Sequence, residues 1–281
     1  MTGKTIASTE ISNTGSAVAT SSSGQRIFAI ARNAFREAVR DRVLYNLVFF
    51  VLLLTGCAIF LGELSGGEEA KIIVDMGLSA MLVFGAFIAI FVGVGLVYKE
   101  IEKRTVYAIF AKPVGRGEFL VGKYLGLCLT LLVNIVVMGV GVSLALIYVK
   151  RGWNPLAVSI WPSVLLIYCE LIVLTAVALL FSTFSSPALS ALMTFFIFII
   201  GNFSADMKLF AQTLGSNAAK LFFSALYYLL PNLSHYNFIT PAGHGDRPSL
   251  AIVGGGMLYA LIYSAVLLAA ATLIFNRRNF K

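Results

Sequence analysis

The stretch MGLSAMLVFGAFIAIFVGVGLVY, from Met76 to Tyr98, contains no charged residue and no polar side chain except Ser79 and its terminal tyrosine. At 1.5 Å per residue it is long enough to cross a bilayer core of roughly 30 Å, which takes about 20 apolar residues. It shows no alternation of period two, so it reads as a helix and not as a barrel strand. Five similar segments accompany it: Val43 to Leu61, Val121 to Tyr148, Ile160 to Phe181, Ala188 to Phe203 and Leu250 to Phe275. Of the 281 residues, 59% are hydrophobic and 12% charged, against roughly 45 to 50% and about 25% in a soluble domain. No water-soluble fold of this size hides so much apolar surface. The sequence therefore predicts an all-α polytopic membrane protein with six transmembrane helices.

The segments between the spans refine this picture. Residues 1–25 are rich in Ser, Thr, Gly and Ala without an apolar block, and read as a disordered tail. From Arg26, the residues Ile27, Ile30, Ala31, Ala34, Phe35 and Ala38 recur at helical spacing between Arg26, Arg32, Arg36 and Arg40. That pattern predicts a basic amphipathic helix in the membrane interface. Ala218 to Leu230, ended by Pro231, is too short to span and is expected to form an external re-entrant helix. Fifteen of the 21 Lys and Arg residues fall in the N-terminal region, the loop after Tyr98 and the C-terminus. The intervening connections hold only Lys71, Lys150, Arg151, Lys208, Lys220 and Arg247, and the first of them is acidic, with Glu63, Glu68, Glu69 and Asp75. Positive residues stay inside, so both termini are expected in the cytoplasm and the chain in the plasma (inner) membrane. The net charge of +8 is thus a topology signal, and no nucleic-acid partner is expected.

The loop YKEIEKRTVYAIFAKPVGRGEFLVGKYLG, Tyr98 to Gly126, is the most distinctive part of the chain. Glu100 and Arg104 are spaced for an i,i+4 pair, and Pro113 cannot continue a helix. A short charged helix below the membrane is expected here, with a plain solvated connection as the simpler reading. With its E-x-E-x-x-T and K-P-x-x-R-x-x-[FY]-x-x-G-K arrangement, the loop resembles that of the membrane subunits of ABC-2 type ABC transporters. The amphipathic entry helix, the six spans and the short stretch before the last span agree with this. The nearest likeness is to the permeases grouped with multicopper enzyme maturation and nitrous oxide reductase assembly. The resemblance covers residues 26–281 and implies a permease domain that is not itself an enzyme. It also implies a separate ATP-binding subunit carrying ATP and magnesium, a second permease copy, and an accessory periplasmic or membrane protein. By the same resemblance the loop is a coupling helix, with Glu100, Glu102, Arg104, Thr105, Lys112, Pro113 and Arg116 at the ATPase contact.

Other features of the sequence bear on chemistry. Gly117 to Lys123 matches G-x4-G-K, but Tyr124 stands where a phosphate-binding loop needs Ser or Thr, and no strand precedes it. Glu170 is the one acidic residue well inside a span. An intramembrane carboxylate marks either a pathway or a carboxyl group hydrogen-bonded to a neighbouring helix, here near Asn134. The rival functional reading is a secondary transporter or channel in which Glu170 couples an ion or proton. His235 and His244, with only Asp206 and Asp246 nearby, read as loop residues and not as a metal site, and Cys57, Cys128 and Cys169 read as small apolar fillers. No cofactor is expected on this chain. Gly93, Gly95, Gly139, Gly141 and Gly254 to Gly256 suggest close helix contacts.

Overall fold

In a computed structural model, the chain is described at residues 23–39, 68–102, 115–153, 155–204 and 230–277 and at isolated positions between 49 and 60 and between 221 and 225. Its helices are α1 (Ser23–Ala38), α2 (Glu69–Glu102), α3 (Arg116–Val149), the single turn α4 (Leu156–Ser159), α5 (Trp161–Ser182), α6 (Pro187–Asn202), the short α7 (Ile239–Gly243) and α8 (Leu250–Arg277). No strand occurs among the described residues. Among the described residues four stretches are long and apolar enough to cross a membrane: Glu69–Leu96, Arg116–Val149, Leu156–Ser182 and Leu250–Arg277. The fifth predicted span is α6, which has 16 residues. The first is described at a few positions only, which are helical. Among them Phe49 and Phe50 set their rings edge-on against Phe84 of α2, at 6.4 and 5.9 Å. Most of Ala218 to Leu230, with its expected re-entrant course, and the tail of residues 1–22 lie outside the described residues.

Helix direction follows from contacts at small residues. Gly77 lies against Val142 and Gly93 against Leu127, so α2 and α3 run antiparallel. Gly85 lies against Leu171 and Gly93 against Ala178, so α2 and α5 run the same way. The α3–α8 pair is antiparallel, with Gly117 on Thr272 and, further along α3, the Tyr124 hydroxyl beside Ser264. The helices thus alternate as successive membrane crossings must. One end of the bundle gathers the start of α3, the ends of α2 and α8, and the start of α1; this is the basic end. The opposite end carries Glu69, Lys71 and Asp75, with α7 packed on it through Gly243.

The central element is α5, with 72% of its apolar stretch buried against 22% for α8. Its sequence is apolar on every side, as expected of a helix surrounded by others. Pro162 in the first turn of α5 and Pro187 at the start of α6 occupy positions where a missing N–H costs nothing. A tight connection of Thr183 to Ser186 joins these two helices.

Two expectations change in detail. α2 does not stop at Tyr98; it continues unbroken to Glu102, so Glu100 and Glu102 lie on an extension of a spanning helix and not on a separate short one. At 1.5 Å per residue, the 34 residues of α2 and of α3 each extend about 51 Å, well beyond the hydrocarbon. The apolar face of α1 is turned to protein and not to lipid. Ala34 and Ala38 are fully buried, and a Cβ added at Gly122 or Gly126 of α3 would meet Ile30 or Ala34 at 2.6 Å. Two bare glycines one turn apart let the helices approach this closely.

Candidate functional site

The basic end is tied together around the first turns of α3. Gly115 precedes the helix in extended conformation, and its N–H donates to Glu118 Oε2 at 3.1 Å, so the third helical residue reaches back to cap the start. The other carboxylate oxygen of Glu118 accepts from Arg26 of α1 at 3.0 Å. One turn on, Lys123 Nζ meets Glu37 Oε2 at 3.0 Å. Lys123 is 2% exposed, a degree of burial that an ammonium tolerates only with a charged partner. Arg116 turns to the other side. Its guanidinium donates to the backbone carbonyls of Phe275 and Asn276 at 3.0 and 3.1 Å. These carbonyls belong to the last turn of α8, where no intrahelical donor remains and the helix dipole is negative.

These contacts sort the residues expected at the ATPase contact. Arg116 joins α3 to the end of α8. Glu100 and Glu102 sit on the last turn of α2, and their side chains lie outside the described residues, as do Arg104, Thr105, Lys112 and Pro113. The antiparallel packing brings the end of α2 and the start of α3 to one end of the bundle, so the connection from 103 to 114 bridges neighbouring helices. Sequence reasoning missed Arg26, Glu37, Glu118 and Lys123 as a cluster. The available signal was Gly122-Lys-Tyr-Leu-Gly126, a G-x-x-x-G facing the Ala31, Ala34 and Ala38 stripe of α1.

The second site is at mid-bundle. Glu170 of α5 is fully buried. Its Oε1 accepts from Asn202 Nδ2 at 2.8 Å, and its Oε2 has no partner among the described residues. Asn202, the last residue of α6, also donates to the carbonyl of Phe198. Asn134, the partner expected from sequence, donates instead to the carbonyl of Thr130 on its own helix at 2.9 Å. The partner of Glu170 is therefore the end of the short helix α6. Beyond it the chain forms a polar patch: Ser204 and Ser234 donate to Asn232 Oδ1, the Asn232 N–H donates to Tyr259 Oη at 3.0 Å, and the Asn232 amide meets the His235 ring. Tyr236 donates to the carbonyl of Gly256 at 2.9 Å, and burial pushes its phenol far above its ordinary range, so it stays protonated. His235, Tyr236, Gly255, Gly256 and Tyr259 line a cavity of about 320 Å³ here. His244 lies apart, bonded to the carbonyl of Thr240, so the two histidines are not brought together.

A search of curated proteins returns no match. An alternating bundle of long apolar helices, with a charged connection bridging two of them at the basic end, is the architecture that the loop motif implied. Residues 28–280, nearly the whole of that bundle, match the profile of the ABC-2 family transporter proteins, and the chain belongs to that family.

Proposed function

We propose that this chain is the permease subunit of an ATP-driven transporter, pairing with a second permease copy and with separate ATP-binding subunits that hold the ATP and magnesium. The family match makes it a membrane transport component. The observation that carries the finer reading is the wiring around the connection from Glu102 to Gly115. Its far end enters α3 at Arg116, which holds α8, and at Glu118, which holds α1. A push delivered there reaches three elements within one helical turn. On this reading the basic end faces the cytoplasm and the charged connection is where the ATP-binding subunit engages.

The test replaces Glu102 and Arg104 together with Ala. Removing one partner of a buried interfacial charge pair costs about 2 to 5 kcal/mol, whereas exposed pairs contribute only about 0 to 1. Recovery of the ATP-binding subunit should fall, or its hydrolysis should lose its response to the permease, while the remaining Lys and Arg keep insertion normal. Unchanged recovery, hydrolysis and transport would remove the coupling assignment. One observation favours a second reading, a carrier that couples an ion or proton: the fully buried Glu170, with only one of its oxygens engaged among the described residues.

A further inference from the structure

The outer face of α1 is the charged surface that neither the family assignment nor the coupling proposal uses. Its inner face lies along α3 in parallel at a constant offset of 92 residues: Arg26 beside Glu118, Ile30 beside Gly122, Ala34 beside Gly126. Arg26 and Glu37 are engaged with α3 through their ion pairs. On the opposite side Phe28, Arg32 and Arg36 follow one another at intervals of four residues, which places them in one stripe. All three are exposed, Phe28 to 71%. Among the described residues, neither Arg32 nor Arg36 makes an ion pair.

The depth of this stripe identifies what meets it. At the same offset Arg32 is level with Tyr124 and Arg36 with Cys128. There α3 presents Leu125 and Leu129 to its surroundings, each more than two-fifths exposed, and in a membrane-spanning helix such leucines face lipid tails. Two guanidinium groups beside the first lipid-facing leucines stand at the boundary of the hydrocarbon. The phosphates of lipid headgroups are the anions available at that level, and a guanidinium matches a phosphate with two parallel N–H donors. Phe28, one turn before Arg32 and level with Leu120, extends the same exposed stripe toward the basic end.

We propose that Phe28, Arg32 and Arg36 form a binding surface for anionic phospholipid headgroups in the leaflet at the basic end of the bundle. The lipid presses on the outer face of α1 while Gly122, Gly126 and the two ion pairs hold its inner face. The stripe thus selects membrane composition and does not depend on which substrate is carried.

The test is native mass spectrometry of the detergent-purified chain titrated with phosphatidylglycerol or phosphatidylcholine. The wild type should retain phosphatidylglycerol preferentially. R32Q/R36Q should weaken that retention by about tenfold or more, since each basic residue near an anionic surface contributes, and should leave phosphatidylcholine retention unchanged. R32K/R36K keeps the charge without the paired donors and should fall between the two. Equal retention by wild type and R32Q/R36Q overturns the proposal, as does an equal loss in the Lys and Gln variants. Normal lipid preference in R32Q/R36Q with lost copurification of an ATP-binding subunit also overturns it, by making the stripe a protein contact.

Discussion

At the scale of single residues, the buried ammonium of Lys123 is the most constrained charge at the basic end. It is 2% exposed while its partner Glu37 is 31% exposed, so the two halves of the pair are unequal. Replacing Glu37 by Ala takes a carboxylate away from a buried cation, and the cost should be about 1 to 3 kcal/mol. That is below the roughly 3 to 5 of a fully enclosed pair, because solvent reaches the Glu37 side. Replacing both residues by Met removes the buried charge together with its carboxylate and fills the space, so the double variant should be more stable than E37A alone. Thermal unfolding in detergent checks this, and additive losses would show that the pair does not hold α1. The same stretch shows where sequence reading stops. Gly117 and Gly122 first stand out as pieces of an imperfect phosphate-binding loop. In the fold they are contact points, Gly122 against Ile30 and Gly117 against Thr272. A motif names residues by order, whereas the reason for these glycines lies on helices about 90 and 150 residues away in the chain.

At the scale of elements, the spans were legible because a long apolar run is a local property, and lipid requires its backbone to be helical. Helix ends were less legible. Charges at Lys99, Glu100 and Glu102 suggested that α2 stops near Tyr98, yet a helix that leaves the membrane can continue into water, as α2 does. The face of α1 was legible from its period, but its occupant was not, since lipid and a neighbouring helix ask for the same apolar stripe. The partner of Glu170 was also out of reach of pattern reading. Asn202 meets it only because α6 is short and ends at that level. This pairing separates two roles for the carboxyl group. Glu170→Gln keeps an acceptor for Asn202 and removes ionisation; Glu170→Leu removes both. If the group is a tether for the end of α6, E170Q should transport normally. E170L should then lose stability by about 1 kcal/mol, the size of a hydrogen bond between membrane helices. Loss of transport in E170Q, with ATP hydrolysis still responding to the permease, would assign Glu170 to an ion or proton pathway. Transport rates in reconstituted vesicles, together with melting temperatures, distinguish the two.

At the scale of the whole molecule, the sidedness of the bundle carries the functional reading, because an ATP-binding subunit can engage only the cytoplasmic end. The contacts put Gly115, Arg116 and the end of α8 at one end and Glu68, Gly152 and α7 at the other. The distribution of Lys and Arg predicts that the first of these faces the cytoplasm. Cysteine labelling in intact cells tests the assignment, and the structure selects the positions. Gly243 is unsuitable despite lying at the end opposite the basic one, since a Cβ there would meet Asp75 Oδ1 at 2.6 Å. His244 beside it is exposed, as are Gly152 and Glu68, and on the other side Gly115 is exposed. Single cysteines at Glu68, Gly152 and His244 should react with an impermeant maleimide added to whole cells. Cysteines at Gly115 and Asn279 should react only after permeabilisation. The native Cys128 and Cys169 are buried and Cys57 lies on the first span, so replacing these three by Ser or Ala removes background. Reaction of Gly115→Cys from outside would invert the bundle. The connection from 103 to 114 would then be out of reach of any ATP-binding subunit, and the carrier reading centred on Glu170 would take its place.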